Sequence, residues 1–279
     1  MKNLRPRDLR RTFVSDLLEV GADIAIVSRM AGHANVQTTV RCDRRPKNKQ
    51  VVRKFSNFCR EKLGFANAAL GDVHYYQSLP LCVIDAVFSI NANYASTENT
   101  VVRFCKYIDL QCLTQERFSD ISSQLSITEF VALHDKHDSE WMAEHVYRNR
   151  QRTSTRSGIL KSEAVMMFGK TLYEHKVDYI QDVGKVIGDK SFEEAIKGIP
   201  GQGSGISLNY FYMLAGSDDY VKPDRMLERF IWSALHKSFS VEESQALVAG
   251  ACQLLREEHP YLTPRALDHL IWNYQRDQG

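Results

Sequence analysis

Nowhere in the 279-residue chain does an apolar run approach the ~20 residues that a membrane-spanning helix requires. Its opening, Met1-Lys2-Asn3-Leu4-Arg5, has no apolar segment behind the charges. No membrane partner is therefore expected, no secretory signal, and a cytoplasmic location. Six cysteines, at 42, 59, 82, 105, 112 and 252, include no Cys-x-x-Cys pair and no nearby histidine ligands. Six reduced thiols are expected, with no metal and no cofactor held on them. Segments that alternate apolar and polar side chains are few, so no strand is predicted and the fold class reads as all-α.

The charge is present but uneven. The chain carries a formal +2. Residues 1 to 64 hold 15 Lys and Arg against 6 Asp and Glu, a net +9, which leaves 21 against 28 for residues 65 to 279, a net −7. A block as basic as the first usually meets nucleic acid, although a solvated basic tail has the same composition.

In the longer part, Leu79-Pro80 opens a helix that is apolar on nearly every side through Ile90, which predicts a central position. Further helical faces are predicted at Val101 to Ile108, Ile127 to Leu133, Trp141 to Tyr147, Met226 to Ala234, Val241 to Leu255 and Pro264 to Gln275. Trp232, Tyr261, Trp272 and Tyr274 read as core aromatics. His134, His137 and His145 stand among acids without the spacing of a zinc helix, and solvated surface is expected there. Arg148, Arg150, Arg152 and Arg156 fall within nine residues of an otherwise acidic region. They read either as phosphate contacts or as a charged helix start paired to Glu140 and Glu144.

The most informative stretch runs from Phe192 to Phe230. A helical lead-in reaches Gly198, the backbone turns through Pro200-Gly201-Gln202-Gly203-Ser204-Gly205, and an apolar helix resumes at Ile206. Glycines on alternate positions allow positive φ and close backbone approach, while the amides opening the second helix face outward at the positive end of its dipole. A phosphate is the ligand that such a turn suits. This stretch, with the loop Gly216 to Met226 that follows, resembles the helix-hairpin-helix DNA glycosylases, the endonuclease III superfamily, and the resemblance covers most of residues 65 to 279. It implies a DNA partner and a monofunctional enzyme that extrudes a damaged or modified base and cleaves its glycosidic bond. Gly201, Gly203, Ser204 and Gly205 would then clamp the DNA backbone, Asn91 would fill the space left by the extruded base, and Arg148, Arg150 and Arg152 would contact phosphates. Asn91 and its neighbour Asn93 equally suit a helix cap and turn. The family's catalytic aspartate falls on Asp224, with Asp218 and Asp219 as rivals. Its strand-cleaving members use a lysine where this chain has Gly205, and Lys222 is the nearest candidate amine. The iron-sulfur cluster of some members needs four closely spaced cysteines, and Cys252 stands alone in that region.

Residues 1 to 45 resemble the C-terminal end of the tyrosine recombinases, the phage integrase family. The match is carried by Arg7-Asp8-Leu9-Arg10-Arg11-Thr12-Phe13, Met30-Ala31-Gly32-His33 and Thr38-Thr39-Val40-Arg41-Cys42. Arg10 and His33 would hold a scissile phosphate, and Cys42 occupies the place of the attacking tyrosine. Arg7 stands where the family has histidine, and its upstream cationic residues would precede Met1. An inactive remnant is the expectation, since a thiol without the full cationic set cannot stand in for an activated phenol. Residues 46 to 64, with Pro46, Asn48 and Gln50, read as a mobile basic linker between this remnant and a monomeric glycosylase-like domain at 65 to 279. Two other function classes fit the same residues: a non-catalytic DNA-binding protein that clamps phosphates, and a defective integrase.

Overall fold

The computed structural model describes residues 13–14, 17, 22, 24–32, 49–65 and 75–278. It divides into two compact units, Met1–Arg53 and Lys54–Gly279. In the first, α1 (Ile24–Met30) ends where Gly32 takes a φ of +66°. Val14, Val27 and Ala31 bury their side chains together there. Arg10, His33 and Cys42, the residues of the integrase resemblance, lie outside the described residues.

The expected linker is instead largely helical. The helix α2 (Lys49–Lys62) has apolar positions spaced along one face, so it can dock. In the second unit Phe55 is fully buried, and the rings of Phe55 and Phe58 meet Phe230 edge-on at 5.9 and 5.1 Å. Arg60 pairs with Glu258 at 2.8 Å. A basic composition does not exclude docking, because it describes only the exposed face of an amphipathic helix.

The centre of the second unit is α3 (Leu79–Phe88), all ten residues of which are buried. Pro80 sits in its first turn, where the missing amide costs nothing. Around it pack α4 (Tyr94–Tyr107), α6 (Lys161–Glu174) and α8 (Ile206–Leu214), with α5 (Ile127–Lys136) against α6 and α7 (Lys190–Gly198) between α6 and α8. Each fully buried Val, Ile or Phe of α3 contributes roughly 1.5–3 kcal/mol. A short helical segment, Ser139–Trp141, widens into a π turn at Met142–Val146. The last three helices, α9 (Arg225–Leu235), α10 (Val241–Leu255) and α11 (Pro264–Gln278), form a second cluster in which α11 packs on both others.

Mostly helical structure matches the expectation, with four corrections. Two short antiparallel strands, β1 (Tyr75–Tyr76) and β2 (Leu113–Thr114), pair with Tyr75 opposite Thr114 and Tyr76 opposite Leu113. Cys105 and Cys112, expected as thiols, form a disulfide that ties the last turn of α4 to the approach of β2. Cys59, Cys82 and Cys252 are free and buried. His134, expected at the surface, is buried against Tyr147, with 2.9 Å between its Nε2 and the phenol oxygen, and burial pushes its pKa down to about 4. Tyr261 and Trp232, expected in the core, are 96% and 52% exposed.

Candidate functional site: a pocket beneath the helical hairpin

The hairpin forms as its sequence predicts, and the role of each glycine is distinct. Gly201 and Gly205 take φ of +87° and +76°, conformations that disfavour any Cβ. A Cβ on Gly201 would also lie 2.4 Å from the Cβ of Thr153. Gly203 has no positive φ, is exposed, and its Cβ would meet only the Lys197 carbonyl at 3.7 Å. The expectation that the alternate glycines supply positive φ is therefore corrected at Gly203: Gly201 and Gly205 shape the turn, and Gly203 is free to carry a side chain. Ser204 is exposed beside it, and its hydroxyl accepts from the Ile206 amide at 3.4 Å. The first-turn amides of α8 have no acceptor within the helix and face away from its body.

Thr153 brings a second predicted element to the hairpin. The loop Arg148 to Arg156 is closed by an isolated bridge between Arg152 and Leu160, and Thr153 donates its amide to Ile159 at 2.9 Å. Packing Thr153 against Gly201 sets this arginine loop beside the turn. Its members differ in availability. Arg150 is paired with Glu140 and Glu144, the structural alternative read from the sequence. Arg152 is exposed yet donates to the Gly158 carbonyl at 2.9 Å. Arg148 is exposed on a left-handed residue, φ +46°.

Asn91 is likewise exposed and left-handed, φ +52°, in the turn that leaves α3. Asn93 caps α4 by accepting from the Ala95 amide, as a cap reading expects. The turn is anchored from below. The buried Lys161 ammonium donates to the carbonyls of Phe88 and Ile90 at 2.9 and 2.7 Å and to Gln151 at 3.0 Å, satisfying the end of α3. Burial lowers its pKa to about 8.

Between the α3–α8 cluster and the α9–α11 cluster lies a pocket of about 400 Å³. This is within the range of small-molecule sites. Tyr94 and Glu98 of α4, Tyr210 and Met213 of α8, and Arg265, Asp268 and Trp272 of α11 line it, with Lys222 and Asp224 from the α8–α9 loop. Tyr210 lies five residues into the hairpin's second helix from Gly205, about 7–8 Å along its axis at the usual rise. The hairpin turn and the pocket thus share one rigid element.

Asp85 forms the floor. It is the one acid in the apolar α3, 2% exposed, and its Oδ2 accepts from the hydroxyls of Tyr76 at 2.8 Å and Tyr210 at 3.1 Å. Its Oδ1 is buried without a hydrogen-bond partner. Burial pushes the carboxyl up, against the opposing pull of Lys222 and the two hydroxyls. The Lys222 ammonium stands 3.8 Å over the Tyr210 ring, so it serves here as a cation resting on an aromatic face.

Of the three aspartates in the loop, Asp224 alone lines the pocket. Asp218 is tied elsewhere: it pairs with Arg117 at 2.8 Å, Arg117 also donates to the Gly216 carbonyl, and the Arg265 amide donates to the Asp218 carbonyl. Asp224 caps α9, its Oδ1 accepting from the amides of Met226 and Leu227 at 2.8 and 3.3 Å. Its neighbour Asp268 is buried, accepts from the Lys222 amide at 3.2 Å, and is pushed up to about 8 by burial and then by the Asp224 charge. At neutral pH Asp268 is thus largely protonated beside Asp224. With a folded pKa above the unfolded value of about 3.9, the contribution of Asp268 to stability is fully present below pH 4 and is lost as pH rises towards 8. Asp268→Asn should flatten that decline, which can reach ~1.4 kcal/mol per pH unit, in urea denaturation measured from pH 4 to 8. Parallel pH profiles for the two proteins would contradict the assignment.

Sequence reading missed Asp85, Arg265 and Asp268. The signal for Asp85 was available, a single carboxylate inside a run of nine uncharged residues from Leu79 to Phe88. Arg265 and Asp268 carried none, since their burial depends on how α11 packs.

A family model described as a domain of unknown function, DUF8548, matches residues 53–276. The chain belongs to the DUF8548 family. No curated protein and no solved structure matches it. The DUF8548 match takes in α2 from Arg53 onward, the hairpin and every pocket residue, and leaves out residues 1 to 52. It therefore agrees with a domain that includes Phe55 and Phe58 rather than one that begins at Phe65.

Proposed function

We propose that this DUF8548 protein is a monofunctional DNA N-glycosylase, the hairpin holding the DNA backbone while an extruded base enters the pocket beneath it. The observation that carries the reading is that Asp224, the aspartate singled out by the helix-hairpin-helix resemblance, lines the pocket whereas Asp218 and Asp219 do not. The chemistry asks little else of the chain. As the C1′–N bond breaks, its electron pair leaves with the base and positive charge develops on the sugar, where a carboxylate stabilises it. Water then adds at C1′, and the proton it gives up goes to the departing base, which leaves neutral. Asp224 has one oxygen fixed by two amides, so the carboxylate is held in place before substrate arrives. Lys222 rests on Tyr210 and acts as a counter-charge to Asp85, which fits base release without strand cleavage.

The exposed Gly203, Ser204 and Arg148 would meet phosphates, with Asn91 on the turn that leads to Tyr94 at the pocket wall. The integrase resemblance of residues 1 to 45 is retained as an inactive remnant that adds positive charge. Incubating the protein with duplexes that carry single damaged or enzymatically modified bases, and assaying free base, tests the reading. Release of at least one base supports it, and release of none by protein that binds the duplexes favours a phosphate-clamping protein without catalysis.

A further inference from the structure

We propose that Asp85 reads the ligand, and that the pocket selects a planar heteroaromatic base whose inward edge carries an amino group. The proposal deepens the base-pocket reading above and rests on it. Asp85 is 2% exposed, and one of its oxygens is saturated by two tyrosine hydroxyls while the other has no partner. An unpaired buried acceptor is costly, and a ligand N–H donor would satisfy it. Aromatic side chains suit a flat ring: Tyr94, Tyr210 and Trp272 line the space, with Tyr94 and Trp272 edge-to-face at 5.6 Å. The lining holds charge of both signs, Lys222, Arg265 and Arg276 with Glu98 and Asp224, so no net charge is asked of a ligand. A neutral amino group supplies the donor that Oδ1 lacks.

The two tyrosines make the idea testable by inversion. In Asp85→Asn the amide oxygen keeps the Tyr76 and Tyr210 donors, which places the amide NH2 where Oδ1 stood. The floor then offers a donor instead of an acceptor. The full-length protein should be titrated with 2-aminopurine by its fluorescence, with adenine and unsubstituted purine as competitors. Wild-type protein should bind both amino bases at least about tenfold more tightly than purine, because a buried polar group left unpaired by the wrong ligand is penalised. Asp85→Asn should lose or reverse that order.

Equal binding of all three bases by the wild type, or no binding of any, overturns the proposal without recourse to the variant. An unchanged order in folded Asp85→Asn also overturns it. Base release from DNA without amino selectivity would sink the role of Asp85 and leave the glycosylase reading in place. Amino-selective binding without base release would do the reverse.

Discussion

A chain shortened to begin at Phe65 is expected to lose cooperative unfolding, while one beginning at Lys49 keeps it. The reason lies in α2, whose Val52, Phe55 and Cys59 are buried and whose Phe58 meets Phe230, with Leu63 buried just beyond its end. Phe230 in turn contacts Tyr274 at 5.6 Å, so the helix supports the packing of α9 on α11. Truncating one such phenylalanine to alanine typically costs ~3–5 kcal/mol. Whole domains are stable by only about 5–15 kcal/mol. Phe55→Ala alone should therefore lower the urea midpoint substantially, and loss of the whole helix should leave the α9–α11 cluster without a fixed core. Circular dichroism melts of the three chains check this. A Phe65 start that unfolds as sharply as the full-length protein would contradict the place given to α2.

A carboxylate added at Gly203 should cost DNA affinity without costing stability. The turn tolerates a side chain there, since φ is not positive and the nearest atom to a Cβ is 3.7 Å away. In Gly203→Glu a negative charge would stand before the amides that open α8, where a phosphate is proposed to bind. Affinity for duplex should fall at least about tenfold at low salt, with a smaller difference at high salt as screening grows. Gly201→Ala is the contrasting case: a Cβ at φ +87° and 2.4 Å from Thr153 should destabilise the fold itself. Fluorescence anisotropy and thermal melts separate the two. Unchanged affinity in Gly203→Glu would remove the hairpin from the DNA interface.

What the sequence made legible was local. The hairpin could be read because Pro200 and glycines at 201, 203 and 205 dictate a turn, and α3 because ten residues from Leu79 lack any polar stripe. Asp224 could be placed by order along the chain. The pocket could not, since Arg265, Asp268 and Trp272 reach it only through the packing of α11 on α9 and α10, which no local pattern encodes. The linker reading failed for a related reason. Nine basic residues between Arg41 and Lys62 describe composition, whereas the spacing of Phe55, Phe58, Cys59 and Leu63 describes a face, and the face decides where a helix goes. Tyr261 and Trp232 show the converse, since a large aromatic side chain need not be buried.

The central claim, that Asp224 acts on a glycosidic bond in this pocket, is tested most directly by single-turnover base release with wild-type protein and Asp224→Asn. Asparagine caps a helix as well as aspartate does, so α9 and the fold should persist. Duplex affinity should be little changed, because the carboxylate acts on charge that develops only as the bond breaks. Base release from the preferred substrate should fall by about 100-fold or more, the scale of a lost electrostatic contact to a transition state. Release at the wild-type rate by folded, DNA-bound Asp224→Asn would contradict the account.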